Sequence, residues 1–157
     1  MDKKTRDHDA MMQGLNWWGI PTLFRCPYNT DTKGCDIALV GVPHSTGNGT
    51  TERDQHLGPR AVRNISALGR RAHLKFGLVP WDICDIRDLG DVPLPEANNN
   101  EKCIEHITDF YTRIAETKTR PLSVGGDHSI TGGILQALAS PNSNLTGGEK
   151  VVLLHFD

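Results

Sequence analysis

The sequence predicts an α/β fold, a mainly parallel sheet with helices on both faces. Two observations predict it. Apolar runs and segments of helical periodicity follow one another as strand, helix, strand, helix, strand, helix, strand. The runs are also short and continuous, the mark of strands buried on both faces. Alternation of this kind builds βαβ units with right-handed crossovers.

The first strong run is Ile37-Ala38-Leu39-Val40-Gly41-Val42, stopped by Pro43. A polar, glycine-rich loop runs from His44 to Leu57. Pro59 then fits the first turn of a helix, where its missing N–H is harmless. Ala61, Val62, Ile65 and Leu68 recur at helical spacing. A second strand is expected between Trp81 and Leu89, ending at Gly90, and residues 92–100 form a loop with Pro93 and Pro95. The clearest helix starts at Glu101 and runs to about Lys118, with Ile104, Ile107, Tyr111 and Ile114 on one face. Asn98, three residues before Glu101, is placed to cap it. Pro121-Leu122-Ser123-Val124 is a third strand, and Gly125-Gly126-Asp127-His128-Ser129 a tight turn. A helix with Ile130, Ile134, Leu135 and Leu138 ends before Pro141, and Val151-Val152-Leu153-Leu154-His155-Phe156 is expected as a fourth buried strand. Parallel strands place their carboxyl ends along one edge, where ligands bind in such sheets.

A length of 157 residues suits one domain with a sizeable core. Residues 1–35 read as an irregular N-terminal segment whose Trp17, Trp18, Phe24 and Tyr28 pack onto the domain, and residues 36–157 as the α/β domain itself. A net charge of −2 gives no reason to expect nucleic acid or an anionic membrane as partner. The basic residues Arg60, Arg63, Arg70, Arg71 and Lys75 are scattered, and their densest group is expected on a solvated helix face. Cys26, Cys35, Cys84 and Cys103 form no CxxC pair, which argues against a zinc knuckle. No apolar run is long enough to span a bilayer, and Met1-Asp2-Lys3-Lys4 opens no secretory signal, so a reducing, cytoplasmic setting is expected.

Two chemically notable groups fall at strand ends. His128 lies just past the third strand and Asp157 closes the fourth. Neighbouring strands lie about 4.8 Å apart, close enough for both side chains to approach one ion. Imidazole with carboxylate suits a divalent metal such as Mn2+. Gly125 and Gly126 permit the sharp turn, and Asp127 can hold a neighbouring donor as an outer partner of such a site. His155 shares a face with Asp157 in a regular strand, as an outer partner or as a core histidine. On spacing alone a loop histidine and a helix-capping or turn-forming aspartate are the more common outcome, and a metal pair the less common one. GxGxxG, GxxxxGK and GxSxG are all missing, so nucleotide binding and a serine nucleophile have little support.

Val124-Gly125-Gly126-Asp127-His128-Ser129-Ile130-Thr131, with Gly133 and Ala137, resembles the first signature of the arginase/agmatinase (ureohydrolase) family. Leu154-His155-Phe156-Asp157 looks like the opening of the second. Phe24-Arg25-x-Pro27-Tyr28, the run 36–43 and Gly58-Pro59-x-x-Val62-Arg63 resemble the agmatinase branch in order and spacing. The resemblance implies a three-layer α/β/α sandwich and a pair of Mn2+ ions (Ni2+ as an alternative) at the carboxyl edge of the sheet. It implies His128 and Asp157 as metal ligands, and release of urea and an amine from a small guanidino substrate such as agmatine. It also implies a role in polyamine metabolism and a homo-oligomer, trimer or hexamer. The remaining ligands of the family's metal cage fall beyond Asp157. The chain therefore reads as an N-terminal portion that by itself binds Mn2+ weakly and is inactive. The loop of residues 44–57 departs from the branch's Arg-x-Gly pattern, which leaves guanidinobutyrate, guanidinopropionate, guanidine and formiminoglutamate open as substrates. Glu52 and Arg53 are the candidates there to touch a substrate tail. A non-catalytic family member or binding fragment is the competing class.

Overall fold

The computed structural model describes residues 15–48, 54–69 and 72–156. Its centre is a three-stranded sheet in the order β2-β1-β3, with β1 Ile37–Val42, β2 Ile86–Asp91 and β3 Arg120–Gly125. Both pairings are parallel, and Ile37 stands opposite Ile86 on one side and Arg120 on the other. β1, the middle strand, is buried from Ala38 to Val42. Its unbroken apolar run is what two covered faces require.

Side chains alternate along β1 and so build two cores. Ala38, Val40 and Val42 face helices α2 (Asn100–Ala115) and α3 (Ile130–Leu138), where Ile107, Tyr111, Ile114, Ile130 and Ala137 meet them. Leu39 faces the other way, onto Leu23, Cys26, Ile86 and Trp81, with Val62 of helix α1 (Gly58–Ser66) packed alongside. The result is the predicted layering of helix, sheet and helix. Tyr111 anchors the first core, and its hydroxyl, fully buried, meets Ser123 Oγ at 2.5 Å across the helix–sheet boundary. Burial pushes its phenol up to about 12, against the small opposing pull of that hydrogen bond.

Several expectations change in detail. Asn99, not Asn98, caps α2: its side-chain oxygen accepts the Lys102 N–H at 3.1 Å, because the helix begins at Asn100 and the capping position is the residue just before it. β2 starts at Ile86, since Pro80–Asp82 is wound into a 3-10 turn. Arg63, grouped by sequence with solvated charges, is 12% exposed and grips Asp88 through two hydrogen bonds, from Nε and Nη2, each 3.0 Å. Its Nη1 reaches Asp91 at 2.5 Å. Asp88, 1% exposed, also accepts the N–H groups of Leu23 at 2.8 Å and Gly90 at 2.9 Å. Burial alone pushes the Asp88 carboxyl up, but the Arg63 guanidinium and the two N–H donors outweigh it and hold the group below the usual range. Helix α1, strand β2 and the N-terminal segment therefore share one buried carboxylate.

Trp17 is 69% exposed and Trp18 56%, so these two do not pack onto the domain as expected, whereas Tyr28, though largely exposed, lays its ring edge against Gly90 of β2. Leu23 takes the buried place instead. The run 151–156 is not a buried strand: it pairs with no neighbour in the sheet, and Phe156 is 90% exposed. A doubly buried strand needs a layer on each face, and the described residues supply none around this run.

Candidate active site

The carboxyl ends of β1 and β3 lie side by side, Val42 opposite Gly125. Two loops begin there. After Gly125 the chain turns at Gly126, whose φ of +68° and contact with the carbonyls of Val42 and His44 leave no room for a side chain. Asp127 follows, 5% exposed, with its backbone N–H donating to the His44 carbonyl at 2.9 Å. One carboxylate oxygen accepts the Gly47 N–H at 2.8 Å. The other accepts the Ser129 N–H at 2.9 Å and the Ser129 hydroxyl at 2.5 Å. Asp127 thus ties the start of the glycine-rich loop to the turn that carries His128. The far end of that loop is tied to the same turn, because the Gly126 N–H donates to the Gln55 carbonyl at 3.4 Å. Ser45 Oγ and His56 Nδ1, 3.2 Å apart, bridge the two ends of the loop.

His44, a buried brace of the glycine-rich loop, had no role assigned from the sequence. It is 1% exposed at the tip of β1. Its Nε2 lies 2.9 Å from Asn100 Oδ1, which makes Nε2 the donor, and its Nδ1 lies 3.3 Å from Thr46 Oγ1. A ring held at both nitrogens orients the loop against the start of α2 and is not available to an ion. A histidine after a strand-ending proline carries no sequence signal that separates this role from a solvated loop residue.

His128 is the opposite case. It is exposed at the rim, with Nδ1 3.5 Å from Thr131 Oγ1, too long for a strong hydrogen bond. Its ring is stacked on that of His155, with centroids 4.8 Å apart and planes 18° from parallel. His155 is itself exposed, so it is not the core histidine that was one of its two expected roles. Asp157, Glu52 and Arg53 lie outside the described residues. Among the described residues no three His, Cys, Asp or Glu side chains gather as a metal site. The donor that is present fits a divalent ion nonetheless: an exposed imidazole, on a turn held rigid by Asp127, at the sheet edge where ligands enter.

Residues 35–157 match the model of the arginase family. The chain is 37% identical over 140 residues to a guanidinopropionase from Pseudomonas aeruginosa, covering 88% of this chain and 41% of that protein. It is 35% identical to a mitochondrial agmatinase from Gallus gallus, covering 88% of this chain and 38% of the other. The fold is similar to the crystal structure of a hypothetical agmatinase from Burkholderia thailandensis, with a TM-score of 0.72 and 31% identity over 80% of this chain and 39% of that one. It is also similar to proclavaminate amidino hydrolase from Streptomyces clavuligerus, with a TM-score of 0.71, 28% identity and coverage of 80% and 41%. The chain spans about two fifths of the length of the relatives it matches. The sequence match and the shared architecture together show that the chain belongs to the arginase family.

Proposed function

We propose that the protein hydrolyses a small guanidino compound at the rim that carries His128, releasing urea and an amine. One observation supports this above the rest. In a chain of the arginase family, the GGDHS turn stands at the carboxyl edge of a parallel sheet, with its imidazole exposed and its aspartate buried as the brace. His128 and Asp157 are the ligands this chain offers, to a pair of Mn2+ ions. When bound, such ions lower the pKa of water, supply a nucleophile at neutral pH and stabilise charge on the electrophile, which a resonance-stabilised guanidinium requires. The chain's own residues do the rest. Asp127 fixes the direction of the His128 turn. His44 and the Ser45–His56 bridge hold the glycine-rich loop over the same edge, so that residues of this loop border the reacting group.

The names of the relatives share a guanidino end and differ in the tail: agmatine carries an amine, whereas guanidinopropionate and guanidinobutyrate carry a carboxylate. Glu52 and Arg53 are our candidates to read that tail, by opposite charge. We place the protein in a reducing compartment, cytoplasm included, because all four cysteines are free and three of them are buried. Among the described residues no helix is long and apolar enough to cross a membrane. A homo-oligomer completes the reading, by kinship alone. The test is urea release by the full-length protein, rather than by residues 1–157 in isolation, with Mn2+ and a panel of agmatine, guanidinopropionate, guanidinobutyrate and guanidine. We expect one of them to be cleaved, and His128→Ala to lose more than the roughly 10–100-fold typical of disturbing only an outer partner of a metal site. Urea from none of the four, or an unimpaired His128→Ala, rejects the assignment.

A further inference from the structure

We propose that His155 is a positioning residue for His128, fixing the plane of that imidazole by stacking on its face; this rests on the reading of His128 as a metal ligand. The face-to-face contact, 4.8 Å between centroids and 18° between planes, is the observation that carries it. His128 has little else to orient it. Among the described residues its side chain has one hydrogen-bonding neighbour, Thr131 Oγ1, 3.5 Å away, and the side chain is exposed. An exposed imidazole on a turn has free rotation about two bonds, and ordering it on metal binding costs free energy. A flat ring against one face removes part of that cost beforehand. Stacking also separates the roles of the two histidines. Lone pairs on ring nitrogens lie in the ring plane, and two nearly parallel planes at stacking distance do not meet near either ring. One ion therefore cannot sit on both lone pairs, and His155 acts through His128 rather than as a further ligand.

The experiment is Mn2+ binding to the full-length protein, read from the electron paramagnetic resonance signal of free Mn2+, for the parent, His155→Ala, His155→Phe and His128→Ala. Aromatic contacts of this kind are worth a factor of about threefold to tenfold. We expect His155→Ala to weaken the Kd by that factor and His155→Phe, which keeps a flat face and loses both nitrogens, to stay within about twofold of the parent. His155 is exposed, so neither change threatens the fold. Parent-like binding by His155→Ala, with binding lost in His128→Ala, overturns the stacking role and leaves the ligand assignment standing. Equal weakening by Ala and Phe also overturns it, because a ring nitrogen is then what matters. Parent-like binding by His128→Ala removes the ligand assignment and the positioning role together.

Discussion

Replacing Asp88 with asparagine keeps the shape of the side chain and removes its charge. The parent carboxylate accepts two hydrogen bonds from Arg63 and one each from the Leu23 and Gly90 N–H groups, at 1% exposure. An amide has a single acceptor oxygen, and its NH2 must face a donor. At least one of Arg63, Leu23 or Gly90 then loses its partner in a buried place, and Arg63 loses a counter-charge. Breaking a buried pair from one side costs about 3–5 kcal/mol. Arg63 keeps Asp91 at 2.5 Å, which puts the expected loss near the lower bound, about 3 kcal/mol. Urea denaturation at pH 7 followed by circular dichroism measures it. The pH dependence gives a second, independent reading. Folded Asp88 sits below the ordinary value near 3.8, so its stabilisation is complete above that value and is lost as pH falls through the folded pKa. The gap between parent and Asp88→Asn must therefore be constant near neutrality and close in acid. A loss under about 1 kcal/mol, or a gap that persists unchanged below pH 2, refutes the claim that this carboxylate locks α1 to β2.

Asp127→Ala removes the brace between the glycine-rich loop and the His128 turn; three accepted hydrogen bonds go, and we expect a loss of about 2–4 kcal/mol in thermal stability together with new protease cleavage within residues 44–57. Tyr111→Phe deletes one buried hydroxyl and leaves Ser123 unpaired, for about 1 kcal/mol in the same denaturation assay. In the parent, absorbance titration should show a phenol that stays protonated until about pH 12. Gly41→Ala drives a methyl group into the Asp91 carboxylate and the Pro59 ring, and should cost about 1–3 kcal/mol or leave the chain insoluble.

The sheet and its helices were legible because their signals are local. β1, α2 and α3 are runs whose apolar period matches the secondary structure they adopt, and β1 is buried on both faces as its continuous pattern demands. The GGDHS turn was legible for a different reason, as a signature rather than a periodicity. What stayed hidden depends on partners distant in sequence. Nothing near Arg63 announces Asp88, 25 residues on, so a charge that organises three elements looks like part of a solvated face. Nothing near His44 announces Asn100, 56 residues on. The run 151–156 failed the other way: its pattern is that of a buried strand, yet burial is a property of the layers around it, and a pattern cannot supply those.

The same contrast explains how substrate choice can vary on a fixed scaffold. Both ends of the glycine-rich loop are held by groups outside it or by each other: Gly47 by Asp127, Gln55 by Gly126, Ser45 by His56. The departure from the agmatinase pattern covers residues 44–57, and Glu52 and Arg53, the candidates to touch a substrate tail, fall between these anchors. Closing a loop of fixed ends grows costlier only with the logarithm of its length, about 0.6 kcal/mol for a doubling. If the loop is a selector rather than scaffold, exchanges at residues 49–53 should cost the fold little while the anchors persist. Exchanges at Asp127 or His44 cost more, because each leaves a buried partner without its bond. Grafting an agmatinase-type Arg-x-Gly run onto residues 49–53 should then change which guanidino tail is accepted and leave the unfolding midpoint within about 1 kcal/mol of the parent. A graft that unfolds the protein, or one that leaves the ranking of substrates as it was, would show that this loop is scaffold rather than selector.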